Sequence, residues 1–141
     1  MPLITVTIAS PHKDLPAIGD IAAEVTRLSS TILHKDPSVT AVIVTNIPPE
    51  DWFCGGHSLE EVGLASFWLD IHVTDGTNTK DEKATFIAST FKLMGKLLGP
   101  LHEESCVHVH DVRDDACGFG GLTQGRRYVE RQLSALKSFA A

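Results

Sequence analysis

The side chains of this 141-residue chain that could do chemistry fall into a few separate places. Pro2 follows the initiator methionine, and removal of Met1 leaves a secondary amine at the head of an apolar segment, an unusual base and nucleophile. Burial penalises the ammonium form, so an amine held among apolar groups stays neutral and can take a proton at neutral pH. A retained Met1 turns the same nitrogen into an amide, which is neither base nor nucleophile, and Met-Pro is also a common start without catalytic meaning. Asp70, His72, His108 and His110 form a second set, of a composition that binds zinc or lines a polar surface. Polar lining is the commoner use, so neither a metal nor another cofactor is expected. Cys54, Cys106 and Cys117 are odd in number and lack CxxC spacing, which suggests neither a disulfide framework nor a zinc knuckle.

The elements that must position these groups emerge when the chain is registered on itself. The pair Gly55-Gly56 recurs as Gly120-Gly121, an offset of 65 residues. At that offset Ile4, Val6 and Ile8 fall on Leu69, Ile71 and Val73, two segments alternating with the period of a half-buried strand. Ile21, Ala22, Val25, Leu28, Ile32 and Leu33 fall on Phe86, Ile87, Thr90, Leu93, Leu97 and Leu98, which places one apolar stripe on each of two helices. Val42 and Val44 fall on Val107 and Val109, and each copy closes with a loop leading into its glycine pair. Pro16 suits the first turn of the first helix, Asp75-Gly76 supplies a turn, and Thr79 with Glu82 forms a capping box for the second helix.

Each copy therefore reads strand, crossover helix, strand, with parallel strands and both helices on one face of a shared sheet. The expected fold is α+β: one domain over residues 1–141, built of two tandem β-α-β units forming a four-stranded mixed sheet. Repeat one spans about residues 2–58 and repeat two about 66–123, each ending in a short ribbon, and a terminal helix or arm follows over about 124–141. The helix-free face carries Thr5, Thr7, Trp68, Asp70, His72, His108 and His110, too polar for a sealed core and too aromatic to stay bare, so a homo-oligomer is expected.

Twelve basic against eighteen acidic residues give a net charge of -6, and no Lys/Arg run tracks a phosphate backbone, so nucleic acid is not an expected partner. No apolar stretch approaches the roughly 20 residues of a bilayer span, and the start lacks the basic and apolar regions of a signal peptide. No membrane partner is expected, and the unpaired cysteines fit a reducing, cytoplasmic setting.

The order Pro-Leu-Ile-x-Val-x-Ile, amphipathic helix, second strand and Ile47-Pro48-Pro49-Glu50-Asp51-Trp52-Phe53-Cys54-Gly55-Gly56 resembles the tautomerase superfamily, the group of 4-oxalocrotonate tautomerase. Ala116-Cys117-Gly118-Phe119-Gly120-Gly121-Leu122-Thr123-Gln124 resembles the second half of its double-length members. The resemblance implies a homotrimer with the sheets wrapped into a barrel, and Pro2 as the base that moves a proton between oxygen and carbon of a small enol or keto acid. The chain is similar in length to the cis-3-chloroacrylic acid dehalogenases, but Thr74 and Thr77 stand where those enzymes have arginines and Gly121 where they have a water-activating glutamate. Dehalogenation is therefore disfavoured.

The short tautomerases also have an arginine where His12 and Lys13 stand here and another where Ala41 stands. The clamp for a substrate carboxylate must then come from His12, Lys13, His34, Lys35, Arg113, Arg126 or Arg127. Arg126 and Arg127 are favoured, because guanidinium suits bidentate carboxylate binding, although two solvated arginines beside Glu130 are an equal reading. Tyr128 is either a hydrogen-bond donor to an enolate oxygen or an interface anchor, and Trp52 is either an apolar wall that keeps Pro2 unprotonated or ordinary packing. The sequence thus points to a keto-enol tautomerase acting on a small carboxylate. The alternatives are a non-catalytic trimeric binding protein of the same fold, or a hydratase or decarboxylase of small unsaturated or 3-oxo acids.

Overall fold

The computed structural model describes residues 2–140, so the fate of Met1, on which the Pro2 amine depends, lies outside the described residues. The first unit runs through β1 (Leu3–Ala9), α1 (Ile18–Leu33) and β2 (Ala41–Asn46), then the ribbon β3 (Phe53–Cys54) and β4 (His57–Ser58) and a single helical turn, α2 (Leu59–Val62). The second runs through β5 (Ser66–Thr74), α3 (Lys80–Leu98) and β6 (Cys106–Val112), then the ribbon β7 (Gly118–Phe119) and β8 (Leu122–Thr123), and ends in α4 (Gln124–Ala140).

The alternation of the strands decides which face is buried. Ile4, Val6 and Ile8 of β1 and Phe67, Leu69, Ile71 and Val73 of β5 are buried. They pack under Ile21, Val25, Leu28 and Leu33 of α1 and Phe86, Met94 and Leu98 of α3. Ile87, placed on the α3 stripe by the repeat register, turns outward, while Met94 and Thr90 take the inner positions because 3.6 residues per turn carry the stripe along 86, 90, 94 and 98.

The sheet order is β2-β1-β5-β6. Within each unit the strands are parallel, Leu3 opposite Ala41 and Trp68 opposite Cys106, as a crossover helix requires. The units meet at an antiparallel joint, Leu3 opposite His72 and Ala9 opposite Ser66. The head of β1 consequently lies beside the tails of β5 and β6, and its tail beside their heads. Local punctuation differs slightly from the sequence reading. Pro16 precedes the helix, which begins at Ile18 after Ala17, and a reciprocal capping box closes on α2 between Ser58 and Glu61. The Thr79 hydroxyl accepts from the Glu82 amide as expected.

Candidate active site

Pro2 is buried at the head of β1, its carbonyl accepting from the Ala41 amide at 3.2 Å. The antiparallel joint brings His72, Val73 and Thr74 to this end from β5, and Val112 brings the start of the second ribbon from β6. Around Leu3, next to Pro2, a cavity of about 300 Å³ is bordered by His72, Val73, Val112, Cys117 and Gln124. Two larger cavities, of about 520 and 590 Å³, adjoin it through Gln124, which borders all three. The Gln124 amide nitrogen donates to the Cys117 carbonyl at 2.9 Å, fixing the first turn of α4 against the ribbon.

Cations gather at the same end. Lys35 leaves the tail of α1 through His34, whose left-handed backbone (φ 59°) turns the chain, and its Nζ donates to Thr77 Oγ1 at 2.9 Å. Partial burial pushes its pKa down, against the opposing pull of Glu82 and Asp111. Arg127 and Arg131 share the 590 Å³ cavity with Lys35. The Arg127 guanidinium is already committed, donating to the Phe119 carbonyl through Nε (3.2 Å) and Nη2 (2.7 Å) and stacking 3.7 Å over the Phe119 ring. Arg126 faces away, paired with Glu130 at 2.9 Å, and Arg113 is paired with Asp115 at 2.8 Å. Tyr128 borders the 520 Å³ cavity with Arg131 and Arg113. Of the two favoured arginines, therefore, Arg127 borders the site as a structural strut and Arg126 does not reach it. Lys35, ranked lower because ammonium is the less specific carboxylate partner, and Arg131, outside the original set, are the cations left to face a ligand.

Trp52, His12 and Lys13 lie elsewhere within the chain. The Ile47 amide donates to the Ile8 carbonyl, so the first ribbon leaves from the tail of β1. Six residues of strand, about 20 Å, separate that end from Pro2. His12 follows β1 at the same far end, its amide on Ser10 Oγ and its ring against Gly99. A single chain does not bring these three residues to Pro2. The far end is also closed: Phe67, which occupies the place of Pro2 in the second copy, is fully buried.

The histidine set lies on the helix-free sheet face as expected. His110 Nε2 lies 2.7 Å from Asp70 Oδ1, His108 Nδ1 lies 3.8 Å from it, and Trp68 Nε1 donates to Asp70 Oδ2 at 2.7 Å. Burial alone would raise the Asp70 pKa, but the hydrogen bonds from His110 and Trp68 and the two imidazole charges together lower it. Among the described residues no three His, Cys, Asp or Glu groups are arranged to hold a metal ion, and no helix is long and apolar enough to cross a membrane.

Comparison with known proteins bears on this geometry. Residues 2–61 match the family model described as tautomerase enzyme. The whole fold is similar to a native fused 4-OT at TM-score 0.73 and 19% identity, covering 88% of this chain and 97% of that one. A second fused 4-OT, solved as a symmetric trimer, matches at TM-score 0.70 and 20% identity over 87% of this chain and 96% of that one. A macrophage migration inhibitory factor from Oncomelania hupensis matches at TM-score 0.69 and 16% identity over 86% and 95%. No curated protein matches the chain by sequence.

Proposed function

From a chain that has the double-length tautomerase fold, and whose residues 2–61 match the tautomerase family, we propose a keto-enol isomerase of small carboxylic acids that uses the amine of Pro2 as its base. One observation carries the reading: Pro2 is buried beside Leu3, which borders the 300 Å³ cavity, and Lys35 and Arg131 border the 590 Å³ cavity that adjoins it through Gln124. With Met1 removed, the neutral amine takes the proton of the enol hydroxyl and returns it to the neighbouring carbon, leaving the keto acid and the free amine. Burial favours the neutral form at rest, so the base is available at neutral pH. Lys35 and Arg131 hold the carboxylate, and the Gln124 side-chain amide, at the junction of the cavities, donates to the oxygen on which enolate charge develops. The assembly is a homotrimer, in keeping with the trimeric fused 4-OT of the same fold.

Ketonisation of phenylenolpyruvate or 2-hydroxymuconate tests the proposal. Pro2→Ala should lower kcat by about 10²-fold or more, the scale of a lost general base. Intact mass should show the loss of one methionine in active preparations. Equal rates in wild type and Pro2→Ala, or full activity in protein that keeps Met1, would remove the proline from the mechanism.

A further inference from the structure

The crossover helices α1 and α3 end alike and are used differently. The carbonyl of Leu33, the last residue of α1, accepts from Asn78 Nδ2 at 3.0 Å, and that of Leu98, the last of α3, accepts from Ser10 Oγ at 2.9 Å. Leu98 stands 65 residues after Leu33, so each end of the molecule ties a helix tail to the turn that follows a strand of the other unit. Carbonyls at a helix C-terminus lack partners within the helix, and each tie supplies one. Beyond the ties the two ends part. At the closed end Gly99 and Pro100 follow the helix, and the His12 ring packs against Gly99. At the open end the same two places hold His34, at left-handed φ, and Lys35, whose Nζ donates to Thr77 Oγ1 at 2.9 Å. Packing requires the ties, which both ends have, and not the lysine contact, which one end lacks.

Thr77 is set to receive a cation. Its hydroxyl donates its one proton to the Thr74 carbonyl, so a lone pair faces Lys35. Asn78, next in the chain, also donates to Glu82 Oε2 at 2.7 Å, which fixes the turn on the first residues of α3. A non-glycine residue keeps a left-handed backbone where its surroundings enforce it, and the Asn78 tie one residue away enforces it at His34. Charged groups reach the Lys35 amine from every neighbouring element. Glu82 of α3 and Asp111 of β6 favour its charge, and Lys83 is paired with Asp111. His34 and Asp36 flank it in the chain, and Arg127, Glu130 and Arg131 of α4 border the same cavity. Among the described residues, however, the one hydrogen bond of the amine is to Thr77. We infer that Thr77 is a positioning residue for the isomerase, holding the Lys35 ammonium at the 590 Å³ cavity, so that the second repeat aims the carboxylate clamp of the first. The inference deepens the reading of Lys35 given above and rests on it.

Two measurements on the full chain test it. Trace acetylation across pH, read by peptide mass, follows the titration of the Lys35 amine without any turnover. A charge left half-buried without its partner is costly, so in Thr77→Val the flexible lysine stem should carry the ammonium out into water. The labelling midpoint of Lys35 should then move to higher pH, toward an ordinary lysine, and Thr77→Ser should return it to the wild-type position. Thr77 is exposed, so both variants should stay folded by circular dichroism. In the ketonisation of phenylenolpyruvate, Thr77→Val should raise KM by about threefold, the scale of one hydrogen bond, with kcat nearly kept. The same substitution made in Lys35→Met should add nothing to KM, since Thr77 acts through the lysine. An unmoved labelling midpoint in Thr77→Val overturns the positioning role. So does an equal rise in KM with and without Lys35, which makes any effect of Thr77 independent of the lysine. A moved midpoint beside a KM that Lys35→Met leaves unchanged overturns the clamp itself, and the inference with it.

Discussion

Lys35 is the cation whose charge the fold makes conditional. Burial lowers its pKa, so the charge is complete at low pH and is lost, as pH rises, before an ordinary lysine would lose it. If Lys35 holds the substrate carboxylate, KM should rise on the alkaline side ahead of normal lysine titration, and Lys35→Met should abolish that limb. At neutral pH the same variant should raise KM by about tenfold, the scale of one charge-assisted hydrogen bond, with a smaller effect on kcat, as steady-state kinetics would show. Residue types alone favoured Arg126 and Arg127, since guanidinium is the better carboxylate partner. The structure assigns those groups to Glu130 and to the Phe119 carbonyl and ring, contacts that no spacing rule encodes. His34 at left-handed φ, which aims Lys35 at Thr77, was equally silent in the sequence.

At the scale of elements, the two glycine ribbons share a backbone and differ in surroundings, which makes them a matched pair. Gly55 and Gly120 both sit at φ +60°, so an alanine at either should cost about 1 kcal/mol of strain. A methyl at Gly55 meets open space, but at Gly120 it would lie 2.6 Å from Arg127 Nη2. Thermal unfolding should therefore show a loss for Gly55→Ala and a larger one for Gly120→Ala, and only Gly120→Ala should change KM, by moving the strut that ties α4 to its ribbon. The ribbons were legible because the glycine pair repeats. Their placement was partly legible too: a right-handed crossover makes β1 and β2 parallel, which already sends Trp52 to the tail of β1, away from Pro2. The expected mixed sheet of two internally parallel units already implied an antiparallel joint between them; what spacing could not supply was that β1 and β5 are the strands that meet there.

The whole molecule is held by one core shared across that joint, and Phe67 lies at its closed end. Phe67→Ala should lower the free energy of unfolding by about 3–5 kcal/mol, read as a shifted denaturant midpoint at constant slope. The doubled architecture was readable because two strands, a helix and a glycine pair recur at one offset. The inequality of its two ends was readable only as a difference of letters, Pro2 against Phe67, until burial showed one end lined by cavities and the other filled. That inequality depends on the covalent link between Val62 and Ser66, the short stretch that joins the units. Two separate identical units meeting across an antiparallel joint inherit every substitution twice, so a gain at one end is repeated at the other whether or not it helps there. Joined in one chain, each end can drift on its own. One can be traded for packing, as Phe67 is, while the other keeps a buried proline beside a cavity that a bulkier residue would fill.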